Sequence, residues 1–492
     1  MNFRAIVQTI ASTEGHSSLD LKRISGDNVF SIARGLMRAL WRTCKDFFRT
    51  GEEKPILDLP EADMKRLYER LRLQSFVSVT LGYGMFYCCR VNFSVVKKPM
   101  LDEGVLSAQA MGVAGSLLLW TYALGKLANG AIADHANIRR LMSLGLMASA
   151  LINLFVPFSI ATFPFFVFAI LWGINGWFQS TGGAPSVVSL SHWFTWSERG
   201  TRYGVWSVSH CIGEAITFAF TAMLVNATSW QAGFLGPGIL CFVSAIILSR
   251  TLLDRPRTYG LPEVHEYKGE TPPIKDNANL PTSKVQMEVL LNYKVWVLGG
   301  ASALMYVSRY GINNWGVLYL QVEKGYSLVE AGSLLSMYPV VALAGSALAG
   351  LLSDRLFNCR RNVPALLCGL LQVLGLLGLK WVPGEAKILH GVCLAIFGFA
   401  TGALLVYLGG LMAIDIVPQR VAGVAAGLVG FVSYFGAGLQ DIVSGFLLEQ
   451  DKVGDKLCFD RTFAFWVFSA CLSAVLATVV WGAGKQVREK HG

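Results

Sequence analysis

The sequence contains few charges for its length. Of its 492 residues only 15% are Asp, Glu, Lys or Arg, whereas soluble proteins average about a quarter. Its ten cysteines are scattered without a Cys-x-x-Cys pair, and it lacks a glycine-rich nucleotide loop, a nucleophile elbow and a metal-ligand cluster. These absences exclude a soluble enzyme. They predict no cofactor, no bound metal and no nucleic-acid partner.

Long hydrophobic runs make up most of the chain, of which 53% is hydrophobic. Each run has roughly the 20 residues that a helix needs to cross a bilayer. Because lipid cannot hydrogen-bond to backbone groups, these runs must be helices. They predict an all-α polytopic membrane protein with twelve transmembrane helices, at residues 75–96, 108–133, 141–160, 164–188, 203–227, 232–252, 295–320, 327–351, 363–381, 388–414, 421–447 and 462–484.

The positions of Lys and Arg predict the orientation of the chain in a cell or inner membrane. Basic residues concentrate in alternate loops, so that both termini and the central loop are predicted to be cytoplasmic. The predicted regions are an N-terminal segment (1–74), a first six-helix half (75–252), a central loop (253–294), a second six-helix half (295–484) and a tail (485–492).

Basic residues recur every three or four positions within the N-terminal segment. They predict an amphipathic helix that lies on the membrane surface and contacts lipid, with a poorly ordered segment as the alternative. The residues are Arg34, Arg38, Arg42, Lys45 and Arg49.

The two halves share an internal repeat. GAIADHANIRR (130–140) and GLLSDRLFNCRR (350–361) both place an aspartate four residues after a glycine and end in paired arginines. Asp134 and Asp354 are 220 positions apart, and Arg90 and Arg309, each within an apolar run, are 219 apart. The nearly constant offset predicts two pseudosymmetric six-helix halves. Arg90 and Arg309 then occupy the first helix of each half.

These two arginines are predicted to bind an anion. A guanidinium near the middle of a bilayer costs about 2.5–3.5 kcal/mol even on lenient scales. Equivalent positions in the two halves should face one central cavity, where the planar fork of arginine suits phosphate. Arg90 and Arg309 together therefore indicate a phosphate or phosphoester site. The alternative is that each arginine pairs with a buried acid, for which the candidates are Glu214, Asp415 and Asp441.

Other polar residues are predicted to line the same cavity. His210 and Glu214 are four residues apart and so share one helix face. His210 could donate to a phosphate, and Glu214 is the candidate for proton coupling. Lys126 is interpreted either as a secondary phosphate contact or as a charge that extends to the interface. Tyrosines suited to sugar hydroxyls or to gating are Tyr83, Tyr87, Tyr122, Tyr306, Tyr310 and Tyr434.

The repeated element resembles the signature of the major facilitator superfamily between helices two and three. The resemblance implies that its charges hold neighbouring helix ends together and act in gating. In this chain they are Asp134, Arg139, Arg140, Asp354, Arg355, Arg360 and Arg361, and His135 replaces the usual first-copy arginine.

Further motifs resemble the organophosphate:phosphate antiporter family, which includes the glycerol-3-phosphate and hexose-6-phosphate transporters and related sensors. They include Y-x-x-x-Y-x-x-R-x-N-F (83–93), NGWFQ (175–179), W-S-x-S-H (206–210), D-R-P-x-x-x-G-L-P (254–262) and Y-x-x-R-Y-G (306–311), and the resemblance covers residues ~75–485. It implies that phosphate is held by Arg90 and Arg309. Residues on family binding or gating positions are His210, Lys126, Tyr83, Tyr87, Tyr122, Trp177, Tyr306 and Tyr434.

The expected function is exchange of a sugar phosphate, with hexose-6-phosphate favoured, for inorganic phosphate by a monomer with alternating access. The chain departs from the family pattern at Val91, Gly183 and Glu214. Three alternatives stay open: a hexose-phosphate sensor of the same fold, a glycerol-3-phosphate antiporter and a proton-coupled carrier of another organic anion.

Overall fold

The structure, a computed structural model, describes residues 46–160, 164–269, 282–357, 361–412, 422–452, 454 and 456–479. Residues 1–49 form a unit separate from residues 50–492. Most of the predicted amphipathic helix, from Arg34 to Lys45, lies outside the described residues.

The described chain is almost entirely helical. The first half contains α1 (Glu61–Asp102), α2 (Ala108–Ala133), α3 (Ile138–Ser159), α4 (Pro164–Gln179), α5 (Gly183–Trp193), α6 (Trp196–Ala227) and α7 (Ala232–Thr251). The short helices α8 (Val264–Lys268) and α9 (Thr282–Leu291) follow. The second half contains α10 (Tyr293–Val322), α11 (Leu328–Leu356), α12 (Asn362–Trp381), α13 (Lys387–Val406, continued by a π-turn at Tyr407–Leu411), α14 (Ala422–Gln450) and α15 (Asp460–Val479).

Nine of the described helices are long and apolar enough to cross a membrane. Three further crossings complete the twelve-helix fold. Two of them, α1 and α10, are lengthy helices that bury the predicted arginines and other polar groups, which lowers their hydropathy. The third is made by α4 and α5 together, because the chain turns at residues 180–182 between them. The hydrophobic run at 164–188 therefore corresponds to two helices instead of one.

The internal repeat is visible in how the helices begin. Ser107 caps α2 by accepting a hydrogen bond from the Ala110 N–H, and Ser327 caps α11 in the same way from Glu330. The preceding loops contain Gly104 and Gly325, whose φ angles of 66° and 74° favour glycine. Equivalent caps and turns in both halves confirm the pseudosymmetry.

The two halves meet closely at the face of the bundle where α1 ends and α2 begins. There α2 packs on α14, α6 on α11 and α1 on α10. A Cβ atom on Gly112 would lie 3.2 Å from the Cα of Gly445, and Ser116 Oγ donates to the Gly438 carbonyl at 2.6 Å. Glycines let these backbones approach, as is common between membrane helices. The bundle is therefore closed at this face.

The loop after α7 ties the helices of the first half together at the opposite face. The Asp254 carboxylate is buried and accepts hydrogen bonds from the Ile138 N–H (3.0 Å) and from Asn137 Nδ2 (3.1 Å), where α3 begins. A third N–H donor, Gly51, is 3.4 Å away. Burial raises the pKa of the Asp254 carboxyl, and the N–H donors of Ile138 and Gly51 partly offset this effect.

We expect Asp254→Ala to destabilise the first half. The substitution leaves the buried donors of Asn137 and Ile138 without their acceptor, which costs about 1–3 kcal/mol. The thermal unfolding midpoint of the purified protein in detergent should fall. Asp58→Ala, at an exposed position, is the control. An unchanged midpoint in Asp254→Ala would show that the loop does not stabilise the bundle.

Candidate functional site

Arg90 lies in α1 and is 8% exposed. Its Nη2 donates a hydrogen bond of 2.6 Å to the hydroxyl of Tyr310, which belongs to the other half. Its guanidinium carbon is 4.5 Å from the ring centroid of Tyr122 and 5.8 Å from that of Tyr434. Such contacts stabilise a cation without neutralising it. Arg90 therefore keeps its charge at the interface between the halves.

Arg309 occupies the equivalent position in α10 and is also buried. Its Nε donates to the Tyr338 hydroxyl at 3.2 Å, and its guanidinium carbon lies 5.3 Å from the ring centroid of Tyr310. Both arginines thus contact Tyr310, Arg90 at its hydroxyl and Arg309 at its ring. The pairing of the two arginines predicted from the sequence is visible in this shared contact.

Neither arginine forms an ion pair with a carboxylate among the described residues. Glu214 accepts a hydrogen bond from Asn313 Nδ2 at 2.7 Å, and Asp441 accepts from Asn314 and Trp315. Asp415, the third acid considered, lies outside the described residues. The two described acids are thus occupied by other donors, although Glu214 is close enough to interact electrostatically with Arg309.

The predicted tyrosines gather around the arginines. The Tyr434 ring centroid lies 4.8 Å from that of Tyr122 and 5.4 Å from that of Tyr306. The hydroxyls of Tyr83 and Tyr87 are 3.4 Å apart. These side chains come from both halves and present hydroxyls and ring faces to one region, which can bind both the polar groups and the carbon skeleton of a ligand.

Lys126 and His210 border this tyrosine cluster. The Lys126 ammonium is 5.1 Å from the Tyr434 ring centroid, yet the side chain is exposed. The His210 ring is 5.6 Å from that of Tyr87. Because Lys126 is exposed while the opposite face is closed, the site is open towards the face where α1 begins.

Glu214 faces the other half instead of His210. It is 3% exposed, and its hydrogen bond with Asn313 connects α6 to α10. The Asn313 carbonyl in turn accepts from Ser94 Oγ at 2.9 Å. Glu214 therefore belongs to a polar network that joins the halves.

The structure does not bring Trp177 into this group. Its side chain is 39% exposed, and no ring contact or hydrogen bond connects it to the described arginines and tyrosines of the site. Its role as a substrate-binding residue stays a prediction.

Four of the predicted gating residues can be described. Asp134 and His135 are exposed, and the Asp134 backbone carbonyl accepts a hydrogen bond from Arg255. Arg139 and Arg140 are half-buried at the start of α3. Arg361 Nη1 donates to Ser353 Oγ at 2.7 Å. The side chains of Asp354, Arg355 and Arg360 lie outside the described part of the structure.

Sequence reasoning missed several residues near the site. Tyr338 contacts Arg309, and Asn313 contacts Glu214. In the sequence, a tyrosine or an asparagine within an apolar helix gives little indication of a binding site. Lys97 was also missed, although a signal was present. It follows Arg90 by seven residues and so lies on the same face of α1 two turns further on.

The fold and the site together define a membrane transport protein of twelve helices with a buried cationic site between its halves. A family model of the Major Facilitator Superfamily matches residues 79–440, and the chain belongs to that superfamily. Within it, the relatives identify the chain as a member of the organophosphate:phosphate antiporter family, as its motifs predicted.

Three relatives illustrate the similarity. A probable hexose phosphate transport protein of Chlamydia trachomatis is 32% identical over 87% of this chain and 95% of its own length. The glycerol-3-phosphate transporter of Bacillus subtilis is 30% identical, over 87% and 96%. The membrane sensor protein UhpC of Escherichia coli is 31% identical, also over 87% and 96%.

Solved structures confirm the fold. A bacterial homologue of the human lysosomal transporter Spinster, in an inward-facing and unoccupied conformation, superimposes with a TM-score of 0.67. It is 17% identical and the match covers 84% of this chain and 97% of that one. The nucleoside transporter NupG gives a TM-score of 0.58 at 15% identity, over 83% and 98%.

Proposed function

We propose that this protein exchanges a sugar phosphate, with hexose-6-phosphate favoured, for inorganic phosphate. The observation that carries the proposal is the arrangement of Arg90 and Arg309. They come from equivalent helices of the two halves, are buried, and both contact Tyr310. Two guanidiniums that form no ion pair among the described residues attract a multivalent oxyanion to their interface, and each can bind it with two N–H groups.

Obligatory exchange follows from the charge of this site. Without an anion, two like charges repel one another across the interface and oppose closure of the halves around them. A phosphoester with a second pKa near ~6 is mostly a dianion at neutral pH and offsets both charges. The halves can then rock about the occupied site, so that each reorientation requires an anion.

The orientation of the protein is part of the proposal. The excess of Lys and Arg in alternate loops places both termini and the face where α1 begins in the cytoplasm. The exposed Lys126 then lies on the cytoplasmic side of the site, and Gly112 and Gly445 close the external side. In this proposed orientation the described conformation is inward-open, and we propose that the protein acts as a monomer.

Space beside Tyr83 supports a substrate larger than glycerol phosphate. Within 4 Å, a Cβ atom on Gly183 would meet only the Tyr83 side chain, at 3.9 Å, which is an ordinary contact. The family pattern that the chain resembles has a tryptophan here, and its indole would take up space that glycine leaves to a ligand. The hexose-phosphate transport named for the Chlamydia relative is consistent with this extra room.

Counterflow in proteoliposomes tests the function. Vesicles loaded with labelled phosphate should release it rapidly into external glucose-6-phosphate, more slowly into glycerol-3-phosphate or phosphoenolpyruvate, and hardly at all into buffer without an anion. Equal release into buffer would contradict obligatory exchange. A preference for glycerol-3-phosphate would still support an antiporter, but its substrate would be glycerol-3-phosphate instead of a hexose phosphate.

A sensor is the second candidate, because UhpC, named as a membrane sensor protein, is 31% identical to this chain, between the 32% and 30% of the two transporters. A sensor would bind hexose phosphate without sustained exchange. The same vesicles distinguish the two: saturable binding of glucose-6-phosphate with negligible phosphate efflux would select the sensor.

Glu214→Gln tests proton coupling. Glutamine keeps an acceptor for Asn313, so that the polar network persists while the ionisable group is lost. If the exchange is driven by phosphate alone, its rate should change less than about threefold and its dependence on a pH gradient should be unchanged. Loss of a pH-gradient response that the wild type shows would assign proton coupling to Glu214. Transport of an organic anion in the wild type without any need for phosphate would select the proton-coupled carrier.

A further inference from the structure

A second cation is buried beside Arg90. Lys97 lies two turns further along α1, is 1% exposed, and shares with Arg90, Asn314 and Asp441 the lining of a cavity between the halves. Its ammonium has no hydrogen-bond partner within the described structure. It lies instead 3.4 Å from the ring centroid of Trp315 in the other half. A buried ammonium in this state needs a compensating negative charge nearby.

Asp441 supplies this charge from α14. The carboxylate is fully buried and accepts hydrogen bonds from Asn314 Nδ2 (2.7 Å) and Trp315 Nε1 (2.8 Å). Trp315 therefore holds Asp441 at the edge of its indole and Lys97 over its face. A donor bond to a carboxylate makes the indole more electron-rich, which strengthens its attraction for the ammonium.

Asp441 lines the same cavity as Lys97 and Arg90, so its negative charge acts on both cations. In a medium of low dielectric constant such interactions extend over several ångströms without direct contact. If Lys97 were absent, Arg90 would be the cation left beside Asp441 in the lining of this cavity. An arginine whose charge is compensated by a carboxylate has little attraction left for a phosphate.

We propose that Lys97 is a positioning residue for anion binding, which acts by neutralising Asp441 so that the charge of Arg90 stays available. The proposal rests on the proposed function, because it needs Arg90 to bind the phosphate. Lys97 does not contact the phosphate itself. The pair Lys97 and Asp441 is neutral as a whole, so that it leaves the charge of Arg90 unchanged.

Two single substitutions separate this role from a structural one, because they change phosphate affinity in opposite directions. Lys97→Met leaves Asp441 to compensate Arg90, so the phosphate KM for exchange should rise at least about tenfold. Asp441→Asn keeps the acceptor for Trp315 and leaves Lys97 as an additional cation, so the KM should fall or stay the same. If Lys97 and Asp441 served only to hold the two halves together, either substitution would weaken that contact. Both variants would then lose exchange activity to a similar extent.

The double variant and a neighbouring lysine provide the controls. Lys97→Met combined with Asp441→Asn removes both charges, and its phosphate KM should return to within about threefold of the wild type. Lys98→Met makes the same chemical change one residue away, where Lys98 pairs with Asp102 at the exposed end of α1. It should leave the KM unchanged.

The outcomes distinguish this inference from the proposed function. If the wild type shows no phosphate exchange, the proposed function fails first. If the wild type exchanges phosphate and Lys97→Met has a normal KM, or Asp441→Asn raises the KM, only the role of Lys97 is refuted. Should Lys97→Met fail to accumulate as a folded protein, Asp441→Asn and the double variant decide: a raised phosphate KM in either one overturns the proposal.

Discussion

Arg90→Lys and Arg309→Lys should each reduce phosphate exchange at least about 100-fold, since each hydrogen bond lost to a charged group costs about 1.5–3 kcal/mol. Lysine keeps the positive charge but has one ammonium in place of a planar fork. Arg90 uses one nitrogen, Nη2, to hold Tyr310 and has further N–H groups for a ligand. A lysine could satisfy the tyrosine or the phosphate, but not both in the same geometry.

The measurement is exchange of labelled phosphate in proteoliposomes, with protein amount and monodispersity in detergent checked beside it. Arg250→Lys, at the exposed end of α7, is the matched control and should exchange normally. Since the lysine variants retain the charge, they should fold and reach the membrane. Near-normal exchange in either site variant would refute the phosphate site formed by two arginines.

A different pattern would point to the sensor. If the lysine variants lose glucose-6-phosphate binding, but the wild type binds without exchanging, the two arginines hold the ligand in a receptor. The arginine site and the transport function therefore fail under different observations.

The sequence predicts the fold well because the bilayer leaves few alternatives. Hydrophobic length requires a helix, and the spacing of Asp134 and Asp354 by 220 positions requires a repeat. The break between α4 and α5 is not predicted, since the polar residues that form the turn, Ser180 and Thr181, sit inside an otherwise continuous run. Their hydroxyls donate to carbonyls three residues earlier. A local bond of this kind leaves no periodic signal.

The residues of the candidate site could likewise be predicted from the sequence only in part. Arg90 and Arg309 stand out because a charge in an apolar run has a large cost that must have a reason. Tyr338 and Trp315 do not stand out, because an aromatic residue in a membrane helix is common and gains meaning only when its partner is known. Asp441 is visible as an acid, but its partner Lys97 lies in the other half, and only the packing of α1, α10 and α14 brings them together. Contacts across the two halves are thus the part that needs the structure.

Gly112→Leu should abolish exchange by preventing closure at the face where α2 begins. A Cβ atom at this position would lie 3.2 Å from the Gly445 Cα and would overlap the backbone carbonyl of Asp441. Backbone atoms of a packed helix cannot move aside individually, so α2 and α14 must separate. Because every transport cycle passes through the state that is closed at this face, we expect less than about 1% of wild-type exchange. This loss corresponds to a destabilisation of the closed state by roughly 3 kcal/mol.

The conformational effect can be measured directly at Ser94. This residue is 3% exposed and bonds the Asn313 carbonyl across the halves, so a cysteine introduced there should be protected while this face is closed. In a protein that also carries Gly112→Leu, this cysteine should react with a membrane-impermeant thiol reagent. The labelling should exceed that of the Gly112→Leu protein in which Ser94 is retained.

Gly300→Leu is the matched control for Gly112→Leu. It makes the same change in α10, at a position where an added Cβ meets only the Leu476 side chain of the same half, at an ordinary 3.9 Å. Exchange should continue there, and the cysteine at position 94 should stay protected. Gly112→Ala should give an intermediate loss, since its single added carbon already meets the Asp441 carbonyl. Normal exchange in Gly112→Leu would mean that this glycine contact does not form in the transport cycle, and the alternating-access scheme built on it would have to place its closure elsewhere.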